Sequence, residues 1–287
     1  MKKIKLVGFT HLNIGRQYKR NCSLIFIVVL FAVLLLVGCS AQMPEPDNDD
    51  VTPSEPIDPN KVYGTTESHP YLSDPEKIGV IYCIDDSIVE ASIPDYFNGV
   101  KITAIGKEAF ANCMNLKSIT ISDSVEIIGE SAFELCHSLD TITIGNGVKE
   151  IGKRAFKECK RLDSVTLPDS VKTIAGNAFS YCTGLDSIKL GDGIETTGAR
   201  AFYLCIALEE ITIPDSVKTI EASAFMNCLS LRTVNIGSGI ESIESYAFRA
   251  ILYGLTLNID REREEVTIGK DCFSSATVNY KSSTVVY

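Results

Sequence analysis

The sequence of 287 residues contains no tryptophan, three histidines and no closely spaced pair of cysteines. The histidines, His11, His69 and His137, are isolated, so no Ser/His/Asp arrangement for nucleophilic catalysis is present. None of the ten cysteines forms the C-x-x-C pairs typical of zinc sites, and no glycine-rich phosphate loop occurs. We therefore expect no catalytic residues, no metal site and no cofactor.

Basic residues are scarce outside the first 38 residues. That segment holds six Lys and Arg and no acid, whereas the rest of the chain carries 21 basic against 37 acidic residues. An acidic surface repels phosphate groups, and nucleic-acid binding depends on their neutralisation by Lys and Arg. We therefore expect no nucleic-acid partner.

An apolar run of 14 residues, 24–37, follows the basic segment, and Gly38 and Cys39 come directly after it. A basic start, an apolar run and small residues at its end are the layout of a secretory signal peptide. Residues 36–39 resemble a bacterial lipobox, which implies cleavage before Cys39 and lipidation of its thiol. We interpret 1–38 as a lipoprotein signal peptide, which predicts a lipid-anchored, extracytoplasmic protein exposed at the cell surface. An uncleaved signal anchor is the alternative.

Residues 39–62 contain five prolines, many acids and few apolar side chains. Such a segment cannot bury enough apolar surface to fold. We interpret it as a disordered tether that separates the folded part from the membrane.

A 23-residue repeat dominates the rest of the chain. The dipeptide Ala-Phe recurs at this period, with its phenylalanine at Phe110, Phe133, Phe156, Phe179, Phe202, Phe225 and Phe248. A cysteine column from Cys113 to Cys228 and a leucine column from Leu116 to Leu231 keep the same register. A fixed period of this length is typical of a solenoid, in which each unit buries its apolar side against its neighbours.

The sequence of each 23-residue unit predicts two elements of secondary structure. The alternation in Leu116-x-x-Ile119-x-Ile121 indicates a short strand with both isoleucines facing inward, and stacked units would pair these strands into a parallel sheet. The apolar spacing from Ile128 to Leu139 favours a short helical turn behind that sheet. The predicted fold is a β-rich α/β solenoid, with a curved parallel sheet of short strands and short helical turns on the convex side.

The unit L-x-x-I-x-I-P-x-S-V-x-x-I-x-x-x-A-F-x-x-C resembles that of the BspA-like surface proteins, the Treponema pallidum type of leucine-rich repeat. The resemblance covers roughly 93–280. It implies a curved, non-enzymatic scaffold used in extracellular adhesion or recognition. We assign 93–287 to about eight such units and 63–92 to an N-terminal capping segment, in which 79–84 and 88–91 are expected to form a hairpin.

The central strand positions are the first candidate binding residues, because solenoids use extended concave faces for recognition. They are Thr120, Thr143, Thr166, Lys189, Thr212, Asn235 and Asn258. The simpler interpretation is that Thr is a good strand residue.

An acidic column is the second candidate: Asp140, Asp163, Asp186 and Glu209 each follow the repeat leucine. It is interpreted as a solvated edge, a stripe for calcium or another cation, or the carboxylate pair of a glycosidase. The predicted function is binding or adhesion to a protein or glycan of a host or neighbouring cell. A passive envelope component and a carbohydrate-active solenoid enzyme are the alternatives.

Three further patterns give expectations. Equivalent Cβ atoms in a parallel stack lie about 4.8 Å apart, beyond disulfide distance, so the column cysteines should be reduced and buried.

The turns after the strands alternate between two kinds. Pro-Asp-Ser turns contain Asp169 and Asp215, and Gly-x-Gly turns begin at Gly145 and Gly191. This alternation suggests a duplication of 46 residues. Two extra residues fall in 260–265, which we interpret as a solvated protrusion, and 276–280 should form the closing strand.

Overall fold

The computed structural model describes residues 63–65, 80–83, 88–97, 100–252 and 254–287, with the backbone alone for the first two ranges. The predicted signal peptide and tether, with Cys39, lie outside the described residues, as do His11 and His69. Within these ranges, no helix has the length and apolar character needed to cross a bilayer.

The chain forms a solenoid of about eight coils that is built almost entirely from short strands. The strands are β1 (Tyr63–Thr65), β2 (Val80–Cys83), β3 (Glu90–Ile93), β4 (Tyr96–Phe97), β5 (Val100–Lys101), β6 (Ala104–Ile105), β7 (Ser118–Ile121), β8 (Ile127–Ile128), β9 (Thr141–Thr143), β10 (Glu150–Ile151), β11 (Ser164–Thr166), β12 (Thr173–Ile174), β13 (Ser187–Lys189), β14 (Thr196–Thr197), β15 (Glu210–Ile213), β16 (Thr219–Ile220), β17 (Thr233–Ile236), β18 (Ser242–Ile243), β19 (Leu255–Ile259), β20 (Thr267–Ile268), β21 (Ala276–Asn279) and β22 (Thr284–Val286).

Each regular coil contributes one strand to each of two parallel ladders. The predicted strands are confirmed and form the long-strand ladder, which runs from β3 to β21. The second ladder was not predicted. It is a ten-stranded sheet in the order β1, β2, β6, β8, β10, β12, β14, β16, β18 and β20, and it contains the Ile-Gly segment that we had assigned to the helical turn.

The core lies between the ladders and is made of the repeat columns. The phenylalanines from Phe110 to Phe248 are at most 1% exposed, and successive rings are stacked with centroids 5.1–5.6 Å apart. The alanine and leucine columns and the inward isoleucines of the strands are also buried. The predicted core is therefore confirmed column by column.

The expected helical turns are wrong in detail, because the segment around each Ala-Phe is a run of hydrogen-bonded turns. Two residues in each coil have positive φ, for example Glu108 (58°) and Asn112 (64°). Their amides bond to the next coil, Glu108 N to the Glu130 carbonyl at 2.8 Å and Asn112 N to the Glu134 carbonyl at 2.8 Å. These bonds between coils replace the bonds within a helix and hold side-chain-bearing residues in a conformation that they rarely adopt.

The column cysteines are free and buried, as expected for Cys113, Cys136, Cys159, Cys182, Cys205 and Cys228. The Cys136 Sγ–H donates to the Phe110 carbonyl of the preceding coil at 3.0 Å, and Cys182 bonds in the same way to Phe156 at 3.1 Å. Burial raises the pKa of the thiols of Cys159, Cys182, Cys205 and Cys228, to about 12 for Cys228. The column therefore serves as packing and holds no reactive thiolate.

The 46-residue alternation has a structural cause in the turns after the long strands. In each pair of coils an aspartate of the first turn accepts a hydrogen bond from the central amide of the next: Asp123 from Asn146 (2.6 Å), Asp169 from Asp192 (3.0 Å) and Asp215 from Ser238 (2.6 Å). Between pairs, the contact is a serine hydroxyl to a carbonyl, Ser170 to Val148 and Ser216 to Ile194.

The long-strand ladder follows the same pairing. The expected single sheet is divided into β3-β7-β9, β11-β13 and β15-β17-β19-β21-β22, with interruptions between β9 and β11 and between β13 and β15. Both interruptions fall between two of the coil pairs joined by an aspartate. The structural unit along much of the molecule is therefore two coils.

Both ends depart from the repeat. At the C-terminal end, β21 forms the predicted closing strand and pairs with the antiparallel β22. The extra residues in 260–265 form a single 3-10 turn, Arg263–Glu265, and Arg261 bonds back to the Ser238 carbonyl. Arg261, Glu262 and Arg263 are half-buried, whereas Asp260, Glu264 and Glu265 are exposed. The loop is therefore solvated in part, as expected, and rests on the preceding coil through Arg261.

At the N-terminal end, the hairpin expected between 79–84 and 88–91 is not formed. β2 pairs antiparallel with β1 and parallel with β6, whereas β3 pairs with β7 in the long-strand ladder. The second segment therefore continues the repeat and does not fold back on the first.

Replacing Phe179 by alanine should lower the free energy of unfolding by about 3–5 kcal/mol, because it opens a cavity in the middle of the ring stack. Chemical denaturation measures the change. Thr166→Ala, at an exposed strand position, is the matched control and should change stability by less than about 0.5 kcal/mol. Equal stability of the two variants would contradict the assignment of the core.

Gly193→Ala should destabilise the protein by about 1–3 kcal/mol, the cost of overpacking. A Cβ atom at Gly193 would lie 1.8 Å from the Asp169 carbonyl oxygen of the paired coil. Gly176→Ala is the control, since its Cβ would meet the nearest atom, the Ala199 oxygen, at 3.2 Å. Thermal melts that rank the two variants in the reverse order would show that the two-coil contact is not tight.

Candidate binding surface

The predicted strand positions form a column on the outer side of the long strands, here called the strand face, which follows the three sheets of the long-strand ladder. Register pairs Thr120 with Thr143, Thr166 with Lys189, Thr212 with Asn235 and Asn235 with Asn258. Ser92 and Asn279 extend the column at its two ends. Both had been missed, although their strands were predicted, because they lie outside the regular 23-residue spacing.

Alternation along each strand makes the strand face polar and accessible. In β15, Ile211 and Ile213 are buried while Thr212 between them is exposed, and β7 and β17 repeat this pattern. The column side chains are exposed as far as Asn235, and Asn258 is half-buried. The core thus fixes which side chains are presented.

Three asparagines at the C-terminal end form an amide ladder. Asn258 Nδ2 donates to Asn235 Oδ1 at 2.8 Å, and Asn279 Nδ2 donates to Asn258 Oδ1 at 2.9 Å. The Thr284 hydroxyl donates to Asn279 Oδ1 at 3.1 Å. Hydrogen bonds in such chains polarise one another, and here they fix the direction of every amide.

This ladder lies in an open groove of about 550 Å³. Thr212, Asn235, Asn258 and Asn279 contribute to its lining along the strands. Carboxylates of the following turns, including Asp192 and Asp215, contribute to one side. The groove is therefore lined along its strands by polar side chains and by apolar residues, including Ile213, Ile236 and Ile259, and it is anionic at its edge.

The predicted acidic column borders the start of the long strands, and we call it the leading rim: Asp140, Asp163, Asp186 and Glu209. Asp163, Asp186 and Glu209 are exposed and Asp140 is half-buried. The Asp140 and Asp163 carboxylates accept bonds from the neighbouring Thr141 and Ser164 hydroxyls, at 3.1 and 3.2 Å. Within the described ranges, no group of three or more His, Cys, Asp or Glu is placed to hold a metal ion.

A second row of acids borders the end of the long strands. This trailing rim consists of Asp95, Asp123, Asp169, Asp192, Asp215 and Asp260, all exposed. The sequence assigns Asp169, Asp192 and Asp215 to turns, and the carboxylates of Asp123, Asp169 and Asp215 do hold the next turn. The same carboxylates nevertheless lie beside the strand face.

A polar cluster on the turn side of the solenoid contains His137, the single histidine among the described residues. Its Nε2 lies 3.8 Å from Glu158 Oε2, and Lys160 Nζ lies 3.2 Å from the same atom. The neighbouring His137 and Lys160 lower the pKa of Glu158, and burial beside Tyr203 raises the pKa of Tyr181 to about 12. The cluster thus holds an ionised acid and a neutral tyrosine, an arrangement suited to packing the turns.

Solved structures show the same fold. A leucine-rich repeat protein from Treponema pallidum is 25% identical with a TM-score of 0.57, over 66% of this chain and 85% of its own. One from Bacteroides ovatus is 20% identical with a TM-score of 0.53, over 77% of this chain and 70% of its own, and it supports the fold alone. No curated protein matches the chain.

The sequence pattern described as "BspA type Leucine rich repeat region (6 copies)" matches residues 103–229 and 195–284. The matched residues make up more than half of the chain, and they coincide with the stacked coils whose columns build the core and the strand face. The chain therefore belongs to the BspA-type leucine-rich-repeat family.

Proposed function

We propose that this protein is a cell-surface binding or adhesion protein that recognises a partner protein through the strand face. The observation that carries the proposal is the column from Ser92 to Asn279, which is in register within each of the three long-strand sheets and whose polar side chains are presented by a continuous buried core. Extended faces of this kind are the recognition surfaces of solenoid proteins. The family relationship is consistent with a binding role.

The anchoring part of the proposal is supported by the sequence. A lipid on Cys39 would hold the protein at the outer side of the cell envelope, and two or more acyl chains give stable attachment. The proline-rich tether would allow the solenoid to stand up to roughly 70 Å from the membrane. Such a distance would leave the strand face accessible to molecules outside the cell.

Catalysis is not part of the proposal. Burial keeps the column cysteines protonated, as the raised pKa values of Cys159 and Cys205 indicate. In the leading rim, Asp140 and Asp163 accept bonds from neighbouring hydroxyls, and Asp186 and Glu209 face solvent. A passive envelope component remains the main competing function, and it differs in requiring no free strand face.

Thr166→Trp combined with Thr212→Trp should weaken binding to a partner at least tenfold, because both rings would stand on the strand face. Tryptophan is well tolerated on strand surfaces, so the fold should persist. The detergent-solubilised full chain is tested by surface plasmon resonance against immobilised extracellular matrix proteins and glycans. Circular dichroism verifies folding.

Ile127→Trp combined with Thr196→Trp is the matched control on the second ladder, where both positions are exposed. It should leave binding unchanged. Equal binding by all three proteins would reject the strand face, and absence of binding to every surface would favour the passive envelope component. Binding to glycans but to no protein would change the class of partner.

Cys39→Ala should abolish lipidation and block cleavage, so the variant should lose a metabolically incorporated alkyne fatty acid and migrate more slowly on a gel. Cys22→Ala, on the basic side of the apolar run, is the control and should be processed normally. An unlabelled wild type with the same mobility as Cys39→Ala would identify an uncleaved signal anchor instead.

A further inference from the structure

The two rims give the strand face a charge that the rest of the solenoid does not share. The leading and trailing rims contain ten carboxylates, against five basic residues in and beside the strand face: Lys117, Lys189, Arg232, Arg261 and Lys281. Next to the second ladder, lysines and glutamates of successive coils are paired instead, for example Lys149 with Glu126 at 2.7 Å and Lys218 with Glu241 at 3.5 Å. The excess of negative charge is therefore concentrated around the strand face.

The spacing of the rims suits an extended chain. Neighbouring coils in a parallel ladder are about 4.8 Å apart, so each rim presents a carboxylate at most steps along the solenoid axis. An extended polypeptide lying on the strand face advances about 3.4 Å per residue and directs alternate side chains to opposite sides. Its side chains would reach the leading and trailing rims in turn, and those on one side recur about every 6.8 Å. Because the carboxylates of a rim are spaced more closely than this, at about 4.8 Å, each such side chain has a carboxylate nearby without a one-to-one match.

The amide ladder has hydrogen-bonding capacity that matches a peptide group. Asn258 uses one N–H towards Asn235 and one lone pair of its oxygen towards Asn279. An asparagine amide has two N–H groups and two oxygen lone pairs, so one donor and one acceptor remain. A peptide unit also offers one N–H and one carbonyl.

The strand face lacks the feature on which sugar rings usually stack. The nine residues of its column, Ser92, Thr120, Thr143, Thr166, Lys189, Thr212, Asn235, Asn258 and Asn279, include no aromatic side chain. Charge and hydrogen bonding therefore determine what this surface recognises, and both fit a basic polypeptide better than a neutral glycan.

We propose that the strand face, between its leading and trailing rims, binds an extended Lys/Arg-bearing segment of a partner protein. The peptide groups of that segment lie over the amide ladder, and its cationic side chains reach the two rims. The rims also attract the segment before contact, because complementary charge accelerates association. This inference rests on the proposed binding function and specifies the chemistry of its ligand.

Fluorescence anisotropy of the full chain in nonionic detergent tests the inference, with a labelled (Lys-Lys-Thr-Thr)3 peptide at low salt, because this order places lysines on both sides of an extended chain. The rim variant Asp163→Asn, Asp186→Asn, Asp192→Asn and Glu209→Gln removes four charges while keeping side-chain shape. It should bind at least tenfold more weakly than the wild type and lose most of the dependence of binding on salt.

The control variant, Glu150→Gln, Glu195→Gln, Glu221→Gln and Glu241→Gln, removes the same charge beside the second ladder. It should change binding by less than twofold. Equal losses in the two variants would show attraction by net charge alone and overturn the proposal. Tighter binding of (Glu-Glu-Thr-Thr)3 or of maltoheptaose would overturn it as well.

The surface plasmon resonance assay separates this inference from the proposed function. If the tryptophan variant of the strand face loses its protein partner and the rim variant retains it, the binding function stands and the basic segment is rejected. If both variants retain the partner, both ideas are rejected. Loss in both supports the basic segment.

Discussion

The backbone hydrogen bond between residues one repeat apart is the constraint on which the structure depends. It holds equivalent residues at the spacing of neighbouring strands, so every position along the unit becomes a column of like side chains. Rings stacked at 5.1–5.6 Å are one result, and the bond from Cys136 to the Phe110 carbonyl is another. Identical neighbours suit apolar and hydroxyl side chains, but they force charges either to alternate in sign or to remain in solvent.

Most of the fold could be predicted from the sequence because the repeat is visible in the residues that make it. The phenylalanine, cysteine and leucine columns, the inward isoleucines and the closing strand all follow from a period of 23 residues and a strand alternation of two. The spacing of apolar residues did not predict the conformation of the turns around each Ala-Phe. Residues such as Leu135 and Tyr181 have positive φ that no propensity would suggest, because bonds to the next coil stabilise them.

The residues of the candidate site could be predicted wherever the sequence keeps the regular 23-residue repeat. The strand positions from Thr120 to Asn258 lie where alternation placed them, whereas Asn279 joins only because β21 follows β19 after an irregular connection. The trailing rim was visible as turn residues, yet its position beside the strand face depends on how coils stack. Acidic residues that are far apart in the sequence form one charged surface only when the coils stack.

The division of the molecule into pairs of coils has a consequence for how such a protein could grow during evolution. A glycine turn fits behind an aspartate turn because a Cβ atom at Gly147 or Gly239 would collide with the paired carbonyl, at 1.8 and 1.7 Å. Gain or loss of one 23-residue unit would bring two turns of the same kind together. Gene duplication should therefore add or remove coils in pairs, so that the two kinds of turn continue to alternate.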